Sequence, residues 1–157
     1  MDVNALVIFY SRYGATEKLA LAAGVGAIQA RANIRLRRLA DLAGAETIQS
    51  DAAWSENLKR MDKEYISPRE IDLEWADILI LAAPRDSMAE MDQFLDSTRD
   101  SIKGKIAAVL GEFGDACVRS GLTVVPHAGG VGESDGATAY GRRAAESARS
   151  AKQASAT

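Results

Sequence analysis

The chain has 157 residues, 47% hydrophobic and 26% charged, with a formal net charge of −3. That length and balance suit one globular domain with a sizeable core and exclude a disordered chain. The mildly acidic balance lacks the basic footprint of a nucleic-acid binder, and the short runs Arg35-Leu36-Arg37-Arg38 and Arg142-Arg143 do not supply one.

A single cysteine, Cys117, leaves no intrachain disulfide. The opening MDVNALVIFYSR has an acidic residue where a signal peptide has basic ones, and its apolar run stops at Tyr10. No apolar stretch approaches the length needed to span a bilayer. The expectation is a cytoplasmic protein with no membrane insertion, folded as one domain over residues 1–157.

Residues 5–10, ALVIFY, form a short apolar run of β-formers, as in a strand buried on both faces of a parallel sheet. From Thr16 the period changes: Leu19, Ala20, Ala23, Ala27 and Ile28 recur at helical spacing, with Gly24 and Gly26 allowing close approach to a sheet. In residues 34–39, Ile34 and Leu36 alternate with Arg35 and Arg37, the pattern of an edge strand. Residues 40–75 are less regular; WSENLKRMDKEY reads as one amphipathic helix ended by Ser67-Pro68.

Residues 77–84, DILILAAP, read as a second central strand, and Met88, Met91, Phe94 and Leu95 as the stripe of the next helix. Further strands are expected at residues 105–113 and 122–127, separated only by GDACVRSG, which has room for about two helical turns. The glycine-rich residues 127–137 read as a loop, and residues 137–153 as a closing helix. Alternating strands and helices imply right-handed βαβ units, hence an α/β three-layer sandwich on a five-stranded parallel sheet of order 2-1-3-4-5.

In such a sheet ligands bind beyond the carboxyl ends of the strands, where the order reverses. The loops meeting there are residues 11–16 and 84–88, with 111–115 beside them. Ser11, Tyr13 and Thr16 carry hydroxyls, Gly14 permits a tight turn, and a helix amino terminus points free N–H groups at the same spot. Those features suit a monophosphate. They also suit a plain strand–helix turn with Thr16 as N-cap. The spacing matches neither a nucleoside triphosphate loop nor G-x-G-x-x-G. A serine-hydrolase elbow and the acidic pair of a receiver domain are likewise missing.

The stretch VIFYSRYGATEKLA resembles the first strand, phosphate loop and helix of the flavodoxin superfamily, and is most similar to NAD(P)H:quinone oxidoreductases of the tryptophan-repressor-binding-protein type. DLEWADILILAAPR, EMDQFLDSTRD, KGKIAAVLG, SGLTVVP and YGRRAAESAR follow in the matching order, so the resemblance covers nearly the whole chain. It implies a flavodoxin-like sandwich, FMN as cofactor, NAD(P)H as co-substrate, a quinone or similar small acceptor, and a homo-oligomer, dimer or tetramer. By position, Ser11, Arg12, Tyr13, Gly14, Ala15 and Thr16 would hold the FMN phosphate. Pro84, Arg85, Asp86 and Ser87, with Gly111, Glu112, Phe113 and Gly114, would stand at the ring. PRDSMAEM is shorter than the family's ring loop and lacks its aromatic residue and glycine, and GEFGDACVRS replaces a longer loop and helix.

Flavin chemistry needs no acid–base side chain from the protein, so no catalytic residue is assigned; no His, Cys or carboxylate cluster has metal spacing, so no metal is assigned. Arg85 could meet an anionic reduced flavin or a nicotinamide phosphate, or stay solvated, while Asp86 and Glu112 would oppose an anion. Phe113 could stack on a ring or pack in the core. His127 could face the cleft or be structural. Cys117 reads as a small buried residue. Trp54 and Trp75 either pack segment 40–75 onto the sheet or mark an oligomer contact. Three functions remain open: quinone reductase, flavodoxin-type electron carrier, and a flavodoxin-fold binding or assembly module that has lost flavin.

Overall fold

Five parallel strands, β1 (Asn4–Phe9), β2 (Asn33–Arg38), β3 (Ile78–Ala82), β4 (Ile106–Leu110) and β5 (Thr123–Val124), form one sheet of order β2-β1-β3-β4-β5. The computed structural model describes residues 2–127 and 129–155. The central strands are apolar because both faces are covered. Val7 stands opposite Leu36 on one side and Ile80 on the other.

The helices are α1 (Ala15–Gln29), α2 (Ala45–Gln49), α3 (Ala52–Glu64), α4 (Glu70–Trp75), α5 (Ala89–Ser97), α6 (Arg99–Ile102), α7 (Gly114–Arg119) and α8 (Ser134–Ser155). Alternation along β1 divides the core. Ala5, Val7 and Phe9 face a layer containing α1 and α8; Leu6, Ile8 and Tyr10 face Leu73 of α4, Met91 and Phe94 of α5, Ile102 of α6 and Cys117 of α7. The flavodoxin-like three-layer sandwich and its strand order are therefore as the sequence implies. Among the described residues no helix is long and apolar enough to cross a membrane.

Several expectations need correction. Segment 40–75 holds three helices. Asp51 caps α3 by accepting the Trp54 N–H at 3.1 Å, and α3 ends at Glu64, before Ser67-Pro68. Residues 65–67 then run extended along β2, where Ile66 bridges Arg37 and its carbonyl accepts the Arg38 N–H at 3.0 Å. This shields the strand edge.

Gly24 does face the sheet, toward Ile34 and Val7, but Gly26 faces α8. A side chain at Gly26 would collide with the Thr138 carbonyl, and one at Gly141 with the Ala23 carbonyl. The two helices thus meet almost backbone to backbone, with Ala20, Ala23, Ala27, Ala144 and Ala148 filling the seam.

β4 stops at Leu110 rather than at residue 113. Gly111 takes φ +146°, and a Cβ there would lie 2.7 Å from the Ala83 carbonyl. β5 spans two residues rather than 122–127, because the Tyr140 hydroxyl enters the ladder. It accepts the Val109 N–H at 3.0 Å and donates to the Val125 carbonyl. The closing helix begins at Ser134, earlier than expected, so the loop before it is shorter than 127–137; residue 128 lies outside the described residues.

The six-residue α7 fits the short crossover, and Cys117 is fully buried within it. Burial pushes its thiol up to about 12. The tryptophans pack at opposite ends of the sheet. Trp54 is buried near residues 10–12, and half-buried Trp75 lies beneath the Arg35 guanidinium at 4.2 Å.

Candidate functional site

The chain leaves β1 through Tyr10 and turns into α1 over residues 11–14. Ser11 Oγ accepts the Gly14 N–H at 3.0 Å, and Gly14 takes φ +100°, where a Cβ would be strained. Helix α1 starts at Ala15, with Gly14 as its N-cap. Thr16 is therefore the second helical residue and not the cap. Its hydroxyl is released from capping, beside the first-turn amides that no α-helix can satisfy internally.

Here the first loop meets the loop after β3. Ser11, Arg12, Tyr13, Ala15 and Thr16 on one side, with Pro84, Asp86 and Ser87 on the other, enclose about 300 Å³. A second cavity, about 420 Å³, continues from Thr16 and Pro84 past Leu19, Ala83 and Leu110 to Gly111, Glu112 and His127. Thr16 and Pro84 border both spaces, so the two form one groove over the carboxyl ends of β1, β3 and β4.

Not every expected residue reaches it. The ring of Phe113 is only 4% exposed and packs among Leu81, Val109 and Cys117, so it offers no stacking face. Arg85 stands in solvent and pairs with Glu112 at 3.1 Å, its side chain 83% exposed. Gly114 opens α7 and borders neither cavity. His127 does border the second cavity. Its Nδ1 accepts the Gly129 N–H at 3.2 Å, and its ring meets Tyr140 edge-on at 5.4 Å.

The first loop is braced from behind by residues to which sequence reasoning assigned no place in the site. Asn57 of α3 donates to the Arg12 carbonyl at 3.0 Å, and the Tyr13 hydroxyl donates to Asp51 at 2.6 Å. The Arg12 guanidinium lies 4.1 Å from the Trp54 ring centroid, and its Nε donates to the Tyr10 hydroxyl at 2.8 Å. That hydroxyl donates to Asp41 at 2.7 Å; Asp41 also accepts from Trp54 Nε1 and Arg38, each at 3.0 Å. Arg38 reaches the Ser11 carbonyl as well, at 3.0 Å. Burial pushes the Tyr10 phenol up, the Arg12 hydrogen bond opposes this, and Asp41 adds to the rise, so Tyr10 stays protonated. No short motif announces this network, since its members are spread over residues 10–57.

Glu17 sits in the first turn of α1 but borders neither cavity. Arg60 donates to it at 2.5 Å and Tyr65 at 2.6 Å. The Arg60 hydrogen bonds, against the cost of burial and with help from Tyr65, hold its carboxyl below the usual range.

No protein-family model matches the chain. Among curated proteins it is 28% identical over 98 residues to an NAD(P)H dehydrogenase (quinone) of Deinococcus radiodurans, covering 60% of this chain and 48% of that protein. It is 34% identical over 99 residues to an NAD(P)H dehydrogenase (quinone) of Brucella anthropi, covering 61% and 47%. The matched stretch thus spans about half the length of these relatives. Among solved structures, a flavodoxin from the domain Archaea superposes with TM-score 0.68 at 18% identity over 94% of this chain and 99% of its own. A Streptococcus pneumonia TIGR4 flavodoxin gives 0.60 at 16% over 92% and 99%. The chain has a flavodoxin-like α/β fold and is similar over about three fifths of its length to two proteins named NAD(P)H dehydrogenase (quinone).

Proposed function

We propose that the chain binds FMN and passes reducing equivalents from NAD(P)H to a quinone or similar small acceptor. The observation that carries this reading is the groove in which Thr16 and Pro84 join two cavities at the amino terminus of α1. The relatives named NAD(P)H dehydrogenase (quinone) supply the activity class.

The residues present fit the phosphate end. First-turn amides, the Thr16 hydroxyl and Ser87 offer donors to a dianion, and Glu17, ion-paired with Arg60, borders neither cavity. Arg12 braces the loop through Tyr10 and Trp54, and so preorganises the amides. The flavin, when bound, supplies the hydride chemistry. Leu19, Ala83, Pro84 and Leu110 would give the second cavity apolar walls. An exposed stripe on α1, Leu21, Val25 and Ile28, supports a homo-oligomer within this reading.

One observation favours a flavin-free binding module instead: Phe113 is in the core, and the second cavity is bordered by no Phe, Tyr or Trp. Titration of the purified chain with FMN, read by flavin fluorescence, decides between them. The expected result is saturable binding that Thr16→Val weakens about tenfold by deleting one hydrogen bond to a charged group. No binding at high micromolar FMN removes the flavin reading. If FMN binds, NAD(P)H oxidation with and without a quinone separates a reductase from an electron carrier.

A further inference from the structure

The second cavity of the groove offers few side chains to the polar edge of an occupant. Leu19, Ala83, Pro84, Leu110 and Val131 are apolar, Gly111 and Gly132 bring no side chain, and Thr16 stands at the end shared with the first cavity. Glu112, when ionised, only accepts, and it is already paired with Arg85 at 3.1 Å. Among the described residues bordering this space away from Thr16, His127 is therefore the one side chain able to donate a hydrogen bond.

Its neighbours set both tautomer and orientation. Nδ1 accepts the Gly129 N–H at 3.2 Å, so in the neutral ring the proton is on Nε2. Gly129 takes φ +99°, a conformation that suits glycine and turns its amide back toward the ring. Tyr140 meets the imidazole edge-on at 5.4 Å, and its hydroxyl donates to the Val125 carbonyl two residues upstream, fastening the segment that carries His127. Nε2 has no hydrogen-bond partner among the described residues, and the residue is exposed rather than shut in the core. With Nδ1 covered by the Gly129 amide and one side closed by Tyr140, the free part of the ring is its Nε2 edge.

We propose that His127 is the side-chain donor for the occupant of the second cavity, its Nε2–H taken by a carbonyl oxygen on the rim of a planar ring. This rests on the reading that the groove takes FMN and a quinone, both of which carry such an oxygen. Because Gly129 and Tyr140 hold the imidazole in place beforehand, little ordering is left to be done on binding.

His127 is the only histidine of the chain, so heteronuclear NMR follows its ring nitrogens without overlap. The ligand-free chain should show the Nε2–H tautomer. FMN is titrated first, and menadione is then added to the FMN-saturated chain. A saturable Nε2 shift with FMN assigns the oxygen to the flavin; a shift that comes only with menadione assigns it to the quinone. His127→Leu should weaken whichever ligand moved Nε2 about tenfold, and His127→Gln, which keeps a donor and an acceptor, should restore most of the loss. The Nδ1–H tautomer in the ligand-free chain, unchanged affinity in His127→Leu, or equal losses in the two variants overturns the proposal. FMN that binds while neither ligand moves Nε2 overturns this inference alone, whereas FMN that does not bind removes the proposed function and this inference with it.

Discussion

Asn57 donates its side-chain amide to the main-chain carbonyl of Arg12 at 3.0 Å, fastening α3 onto the loop that forms one wall of the groove. The contact joins two residues that are 45 apart in sequence, and Asn57 itself borders neither cavity of the groove. Asn57→Ala leaves that carbonyl without its partner. The expected cost is about 1 kcal/mol of stability, read by urea unfolding. FMN affinity should fall several-fold, because the loop amides lose their fixed aim. A loss of affinity with the unfolding midpoint unchanged would show that the brace acts on the loop alone.

Tyr140 occupies the gap where β5 parts from β4, and its hydroxyl serves both Val109 and Val125. Tyr140→Phe keeps the ring and strands a buried amide and a carbonyl. The expected destabilisation is about 1–3 kcal/mol, measured by chemical denaturation. Faster hydrogen exchange at the Val109 amide should accompany it.

Two glycines of α1 stand two positions apart and should respond with opposite signs. At Gly24 a Cβ would meet Ile34 at 3.5 Å, an ordinary contact, so Gly24→Ala should gain up to about 1 kcal/mol from helix propensity. At Gly26 it would strike the Thr138 carbonyl of α8, so Gly26→Ala should lose about 2 kcal/mol or more as the helices are forced apart. Thermal unfolding of the two variants tests the pair.

Asp72 carries the clearest acid dependence. Burial pushes its carboxyl up, but hydrogen bonds from Arg37, Arg69 and Arg35 outweigh that and hold it well below the usual range. A carboxyl whose folded value lies below its unfolded value of about 3.9 stabilises the fold fully above that unfolded value. The contribution is lost as pH falls from there toward the folded value. Wild-type stability should therefore drop steeply below about pH 4. Asp72→Asn should be less stable at neutral pH and show a shallower acid slope, measured by urea unfolding across the pH series.

The groove's position was legible because its determinants are local. An apolar run followed by Ser11-Arg12-Tyr13-Gly14 and a helical period states where a strand ends and a helix begins. The run ending at Pro84 does the same for β3. Residues 40–75 were not legible, since α2 and α4 have five and six residues, too short for a period to declare itself. The cap moved from Thr16 to Gly14 because the positive φ at Gly14 starts the helix two residues earlier than the hydroxyl pattern suggests.

By itself the sequence determined the architecture: its alternating periods leave few right-handed ways to cover both faces of five apolar strands. Only the tertiary structure decided what each loop residue does there. Phe113 faces the core because Gly111 turns the chain back over Ala83, Arg85 is paired with Glu112, and Arg12 is held by Tyr10 and Trp54. The physical reason is range. Hydrophobic period acts over a few neighbouring residues, whereas the partner of a buried polar group is whichever distant group the packing brings within about 3 Å.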